Sequence, residues 1–300
     1  MNKSSAFSYK VSDSQNSLQS GKKVLDKSTS WGKVTNWYDK LLEQQNDTYQ
    51  KTLILPNLLR LLEIKRGETI LDLACGQGFF ARAFEKEGAK VIGVDISKEL
   101  ISLAKKHLTY SSSEGVPSGT PESRSLSSRQ ARTIIDYHIS PADDLSFLKN
   151  KTIDKITLIL ALQNIENVHG VLKECSRVLK ENGKLFIVLN HPAFRIPKES
   201  SWGWDGARKI QYRRIDSYLT ESKIKIQMHP GDNPKEITWS FHRPLQFYFK
   251  MLNKYGFYVS RLEEWNSDKI SEKGSRSQAE DKARKEIPMF LFIESVMINI

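Results

Sequence analysis

Apolar runs and helical-period segments alternate along this chain in a regular order. Two stretches near the start, 34–45 and 51–63, carry apolar residues at three- and four-residue spacing, as in LILPNLLRLLEI, and predict amphipathic helices. Short apolar runs with helical segments between them follow: a strand at 69–73 and a helix at 77–87, then a strand at 90–94 and a helix at 97–108. Further strands are predicted at 134–139 and at 153–162, then a helix at 168–180 with Gly183 past its end, and a strand at 184–190. Strands alternating with helices predict a parallel sheet covered on both faces. The apolar run IDKITLILAL suits its buried centre.

After residue 190 the pattern changes. The segment 190–245 is long and contains three strand-like stretches, QYRRIDSYL, KIKIQM and EITWSF, which predict a small antiparallel cap. QFYFKMLNKYGF reads as a helix stopped by Gly256, and strands are predicted at 258–265 and 290–300. Between these strands, residues 266–288 hold Lys269, Lys273, Arg276, Lys282, Arg284 and Lys285 among five acids, the pattern of a solvated charged loop. Residues 109–131 are rich in Ser, Gly and Pro without any period and predict a flexible surface insertion. The organisation expected is a disordered tail (1–30), a core (31–190) carrying that insertion, a cap (191–243) and a segment completing the sheet (244–300).

Composition narrows the classes. Three hundred residues suit one elaborated α/β domain. Two cysteines, Cys75 and Cys175, offer no disulfide framework or metal spacing, so a reducing cytoplasm is the expected setting. No apolar run reaches the length of a membrane span, and the start of the chain fits neither a secretory nor a mitochondrial signal. The formal net charge of +11 raises the question of an RNA partner. The excess is spread, however: eleven Lys/Arg against seven Asp/Glu over 1–70, and ten against six over 191–243. A nucleic-acid binder concentrates its charge in a stripe, so a solvated basic surface is the better account. Composition leaves monomer and homodimer both open.

The chemistry concentrates at Ile70–Gly78, which reads ILDLACGQG: an apolar strand passing through Asp72 into a Gly76-x-Gly78 turn. Seventeen residues past Gly78 the next strand ends on Asp95. Strand, glycine turn, helix and an acid ending the next strand make a Rossmann-type unit, the acid suiting two ribose hydroxyls. A carboxylate at Asp72 would repel the pyrophosphate of a dinucleotide, which disfavours NAD. It would attract the cationic ammonium and sulfonium of S-adenosylmethionine (SAM). With Asp72-x-x-x-Gly76-x-Gly78 and Asp95 together, the chain resembles the class I SAM-dependent methyltransferases; the departure is Ala74, where many members carry glycine.

That resemblance, covering the chain from about residue 34, implies a doubly wound seven-stranded sheet whose last strand runs antiparallel between strands five and six. It also implies that SAM is held by Asp72, Ala74, Gly76, Gly78, Asp95, Ile96 and Leu160, with Ala142 and Asp143 at the adenine; Pro141 stands where the family places an acid, and Asp143 or Asp144 has capping of a following helix as an alternative role. QNIEN (163–167) lacks the Asn/Asp-Pro-Pro-aromatic signature of enzymes that methylate base amines. Strings such as NHPAFRIP, SSWGWD and SFHRPL resemble a bacterial subgroup but name no substrate.

For the acceptor, the positions singled out are Tyr38, Asn164, Arg195, Trp202, Tyr212, Arg213, His242 and Arg243. Arginines there can fork a carboxylate or phosphate, or pair with local acids such as Asp216; the aromatic residues can wall a pocket or form the cap's own core. Tyr38 and Tyr49 either touch the cofactor or are core residues. His191, directly after strand five, is a candidate general base, with a hydrogen-bonded structural turn as the alternative. The leading expectation is methyl transfer from SAM to a small molecule, anionic or aromatic, at oxygen or carbon. An RNA or protein methyltransferase and a non-catalytic SAM-binding protein stand as alternatives.

Overall fold

The computed structural model describes residues 30–110, 135–229 and 233–298. The tail expected over 1–30 and nearly all of the insertion expected over 109–131 fall outside these residues. Seven strands form one sheet: β1 (Thr69–Leu73), β2 (Lys90–Asp95), β3 (Asp136–Ile139), β4 (Ile153–Ile159), β5 (Leu179–Asn190), β10 (Phe257–Trp265) and β11 (Phe290–Met297). Their order is β10-β11-β5-β4-β1-β2-β3. Pairs β1–β2, β2–β3, β1–β4 and β4–β5 are parallel, whereas β11 runs antiparallel to both β5 and β10. This is the doubly wound sheet expected, with the last strand inserted where the resemblance implied.

Side-chain alternation explains why the sheet is covered twice. Along β5, Leu185, Ile187 and Leu189 join one core cluster while Phe186 and Val188 join the other; β11 divides Leu291 and Ile293 from Phe290 and Phe292 in the same way. Helices α5 (Val168–Val178) and α6 (Leu245–Lys254) close the first face. The second is closed by α2 (Leu55–Leu62), α3 (Phe79–Lys86) and α4 (Lys98–Tyr110). Helix α1 (Thr35–Gln44) precedes them, and a wide helical turn (Gln50–Ile54) leads into α2.

The chain winds one way from β1 through β2 to β3 and the other way through β4 to β5, so β1 and β4 flank the switch point. A crevice outside the carboxyl ends of these two strands is where such sheets bind ligands. Register puts Asp72 of β1 beside Gly93 of β2 and Thr157 of β4.

After β5 come two antiparallel hairpins, β6 (Ser200–Asp205) with β7 (Ile210–Ile215), and β8 (Ser222–His229) with β9 (Asn233–His242). Three of these strands match the expected cap; β6, in SSWGWD, was not foreseen as a strand. Three expectations need correction. Helix α5 ends at Val178, because Leu179 is extended and buries its side chain in the sheet, so Gly183 lies inside β5 rather than past a helix end. No helix follows β3 through residue 150, so Asp143 and Asp144 cap none. Residues 266–288 are not all loop: Ser277–Glu286 forms helix α7, which lacks an apolar stripe and buries only Ala283. It is held by strong helix formers and by Arg284 reaching Glu280 and Asp281.

One close approach fixes β2 against β3. A Cβ at Gly93 would stand 2.5 Å from two ring carbons of the buried Tyr137. Gly93→Ala should therefore lower stability by about 1–3 kcal/mol through overpacking, measured by urea denaturation.

Candidate active site

Strand β1 ends at Leu73, and the chain turns through Ala74 (φ 61°), Gly76 (φ 58°) and Gly78 (φ 80°) into α3. Ala74 adopts the left-handed conformation that glycine takes without strain. Gly78 is fixed by packing as well, since a Cβ there would strike the Tyr137 hydroxyl. Gly76 instead faces Tyr38, whose ring lies 3.8 Å from where its Cβ would be. A cleft of about 350 Å³ opens here, lined by Tyr38, Asp72, Ala74, Gly76, Phe79 and Ile159 among others.

The electrostatics of this cleft come from two buried carboxylates. Asp72 Oδ1 accepts a hydrogen bond from the Thr157 hydroxyl (2.8 Å), while Oδ2 is buried without a partner. Burial, with the nearby charge of Asp95, pushes the Asp72 carboxyl up to about 7 despite the Thr157 bond. Asp95 accepts from the backbone amides of Gly76 (2.9 Å) and Ser97 (2.8 Å); burial raises its pKa and these bonds oppose the rise. Tyr38 is pushed up to about 12 by burial and by both carboxylates.

These features fit the cofactor that the sequence implies. A buried carboxylate oxygen without a donor suits an ammonium group, and Gly76 leaves the backbone open to a ligand. Asp95, already turned toward the glycine turn, suits ribose hydroxyls. Gly78, Asp95, Ile96, Ala142, Asp143 and Leu160 do not line this cleft; Asp95 adjoins it through its bond to the Gly76 amide. Asp143 accepts from the Asn167 amide (2.7 Å), and Leu160, at φ 53°, turns the chain at the end of β4. Leu42, Cys75, Gln77, Phe79, Phe80 and Ile159 line the cleft without having been singled out. Only their adjacency to the glycine turn or to the end of β4 could have marked most of them.

Helix α1 covers this cleft. His107 Nε2 meets Asp39 (2.8 Å), and Glu43 pairs with Arg82 and accepts from Gln77 (3.2 Å). Tyr49 turns elsewhere, bonding Ser267 (2.8 Å) and packing on Phe290.

A second cleft of about 310 Å³ lies at the carboxyl ends of β4 and β5, lined by Gln163, Asn190, Arg195, Ser240, His242 and Arg243 together with Pro192, Pro197, Phe241 and Tyr248. It contains Arg195, His242 and Arg243 of the expected acceptor residues. Asn164 does not line it; the neighbouring Gln163 does. Trp202 lies behind Arg195 and Arg213, 5.7 and 5.2 Å from their guanidinium carbons. Tyr212 is exposed and covers Gly203 across its own hairpin, so it walls no cleft. Arg214 pairs with Asp216.

His191 is held at both ring nitrogens. Nδ1 accepts the Ala193 amide (3.2 Å), which leaves the proton on Nε2 to donate to Glu264 (2.7 Å). Burial lowers its pKa, opposed by Glu264. It lines neither cleft, and this geometry favours the structural turn over the general base.

Comparison with known proteins agrees with the fold and the turn. Residues 71–187 match the family model "Methyltransferase domain", and residues 19–122 match that of protein-L-isoaspartate (D-aspartate) O-methyltransferase. A ubiquinone biosynthesis O-methyltransferase of Xanthomonas oryzae is 26% identical over 159 residues, covering 51% of this chain and 56% of that protein. The chain thus spans about half the length of the first such relatives. An uncharacterized protein of Haemophilus influenzae is 27% identical over 70% of this chain and 74% of its own. The crystal structure of a SAM-dependent methyltransferase from Mesorhizobium loti superposes with a TM-score of 0.59 at 23% identity, over 84% of this chain and 99% of that one, which shows a common fold.

Four expected outcomes follow from Asp72 and His191. SAM affinity should rise as pH increases through about 7, because only ionised Asp72 attracts the ammonium. The stability contribution of Asp72 in the ligand-free protein runs the other way: it is full below 3.8 and is lost as pH rises through about 7, since the folded state holds the proton more tightly. Asp72→Asn should weaken SAM about 10–100-fold in calorimetry while leaving the fold intact. His191→Gln should cost about 1–3 kcal/mol in denaturant melts and leave SAM affinity unchanged.

Proposed function

We propose that the protein, whose residues 71–187 match a methyltransferase-domain model, is a class I SAM-dependent methyltransferase that transfers the methyl group of SAM to a small-molecule acceptor held in the second cleft. The observation that carries this reading is Asp72 Oδ2, a buried carboxylate oxygen without a donor beside the glycine turn. The relatives named as O-methyltransferases of ubiquinone biosynthesis favour oxygen as the methylated atom.

Bound SAM supplies an electrophilic methyl group for in-line displacement. The residues of this chain would then bind, orient and exclude water. Asp72 would hold the amino-acid ammonium, with Thr157 fixing its other oxygen. Asp95 would release the Gly76 amide and accept ribose hydroxyls instead. Tyr38, pressed over Gly76 by α1, would keep water from the reacting end, where a dry aligned pocket supplies much of the rate. His191, with both ring nitrogens engaged, would hold the turn after β5 rather than move a proton. Ile159, at the end of β4, lines one cleft and Gln163, four residues on, lines the other, which would suit transfer between them.

The purified chain should bind SAM and S-adenosylhomocysteine in calorimetry and show no heat with NAD. Incubated with radiolabelled SAM and a cell extract split into small-molecule, RNA and protein fractions, it should label the small molecules. Label in RNA or protein alone would replace this acceptor class, and NAD binding without SAM binding would overturn the cofactor.

A further inference from the structure

Among the described residues, six buried side-chain nitrogen or oxygen atoms have no hydrogen-bond partner: Thr48 Oγ1, Asp72 Oδ2, Tyr137 Oη, Gln163 Oε1, Arg195 Nε and Arg243 Nη1. Three of the six, those of Gln163, Arg195 and Arg243, belong to residues lining the second cleft. Leaving such a group unsatisfied costs about 1–3 kcal/mol, and more when it is charged. Their convergence on one cleft points to a ligand that satisfies them together.

Charge says which kind. Arg243 is 6% exposed, and its Nη2 donates to the backbone carbonyls of Ile165 (3.0 Å) and Glu166 (2.9 Å), which fixes the guanidinium. Arg213 donates to the Phe194 carbonyl (2.9 Å) and the Ser200 hydroxyl (2.8 Å). Arg195 leans on the Trp202 ring. None of the three arginines takes part in an ion pair among the described residues, although Arg60, Arg82, Arg177, Arg214, Arg261 and Arg284 all do. The nearby Glu166 is paired with Lys223. Water could satisfy the N–H groups but would leave the excess positive charge uncompensated. Pro192, Pro197 and Phe241 supply apolar wall, and Asn190, Ser240, His242 and Tyr248, whose phenol lies beside Arg243, complete the lining.

We propose that the second cleft is an oxyanion-binding acceptor pocket, in which Arg243 and Arg195 clamp a carboxylate or phosphate of a small molecule whose apolar body packs on Phe241 and the two prolines. Arg213 backs Arg195 through Trp202 and adds to the local positive potential. Gln163, beside the arginines, would accept from a hydroxyl or amine of the same molecule. Both oxyanions suit planar guanidinium forks equally, so the arms of the test separate them. The identification of this ligand as the methyl acceptor rests on the methyltransferase reading; the pocket itself does not.

The test uses the full chain and ligand-observed NMR with benzoate, phenyl phosphate and the uncharged analogue benzamide, with SAM affinity measured in parallel. Benzoate or phenyl phosphate should bind and benzamide should not, and the stronger of the two names the oxyanion. Arg195→Gln should weaken that binding by about tenfold or more, as loss of one charge-assisted contact, with Arg195→Lys recovering part of it. Arg195 serves here because its side chain makes no backbone contact that would unfold the protein. SAM affinity should be the same in wild type and variant. Equal binding of benzamide, no binding by either anion, or unchanged anion affinity in Arg195→Gln would overturn the proposal. Anion binding without SAM binding would leave the pocket standing and remove the methyltransferase reading.

Discussion

The structure turns on a carboxylate kept out of water. Asp72 sits at the switch point of the sheet, between Thr157 on one neighbouring strand and Gly93 on the other. Neither neighbour offers a counter-charge, so burial, helped by the nearby charge of Asp95, pushes the group up to about 7. A side chain so placed weakens the ligand-free protein once it ionises, and it becomes an asset when a cation arrives. Such a group is a poor choice for stability and a good one for recognition.

Much of the surrounding architecture follows from holding that group in place. The glycine turn must leave β1 sharply enough for Asp95 to reach the Gly76 amide, and it does so with Ala74 in a left-handed conformation. Tyr137 fills the space under the turn that Gly78 and Gly93 leave free of side chains. Helix α1 then closes the top, tied by Asp39 to His107 and by Glu43 to Arg82. Both ties run to segments that flank the site: α3 directly after the turn and α4 directly after Asp95.

The sheet was legible in the sequence because its strands are short apolar runs separated by glycine turns and helical periods. Strand 69–73 was placed to the residue, and the antiparallel insertion of the last strand came from the resemblance. What escaped notice had no apolar period to betray it. Helix α7 is polar nearly all round, and β6 is a Ser/Trp/Gly hairpin strand that buries little. In the first cleft, Asp72 and Gly76 were legible from spacing, since chemistry there depends on residue type. The second cleft was half legible. Arg195, His242 and Arg243 stand out as polar residues in a cap, whereas the sequence points to Asn164 rather than Gln163, because the direction of a side chain in a tight turn is set by backbone angles that composition does not reveal. His191 shows the converse: a conspicuous residue type in a suggestive place, spent on a turn and a bond to Glu264.

Leu160 carries a consequence for how the two clefts communicate. It holds a left-handed backbone angle between Ile159, which walls one cleft, and Gln163, which walls the other. Its amide is anchored to Val188 of β5, and its carbonyl takes the Gln163 side chain (2.9 Å). One short turn in the left-handed region therefore stands between residues of the two clefts, and any influence of one occupant on the other would run through it. Thermodynamic linkage makes that influence reciprocal: whatever factor the occupant of the first cleft imposes on affinity at the second is returned in full by the occupant of the second.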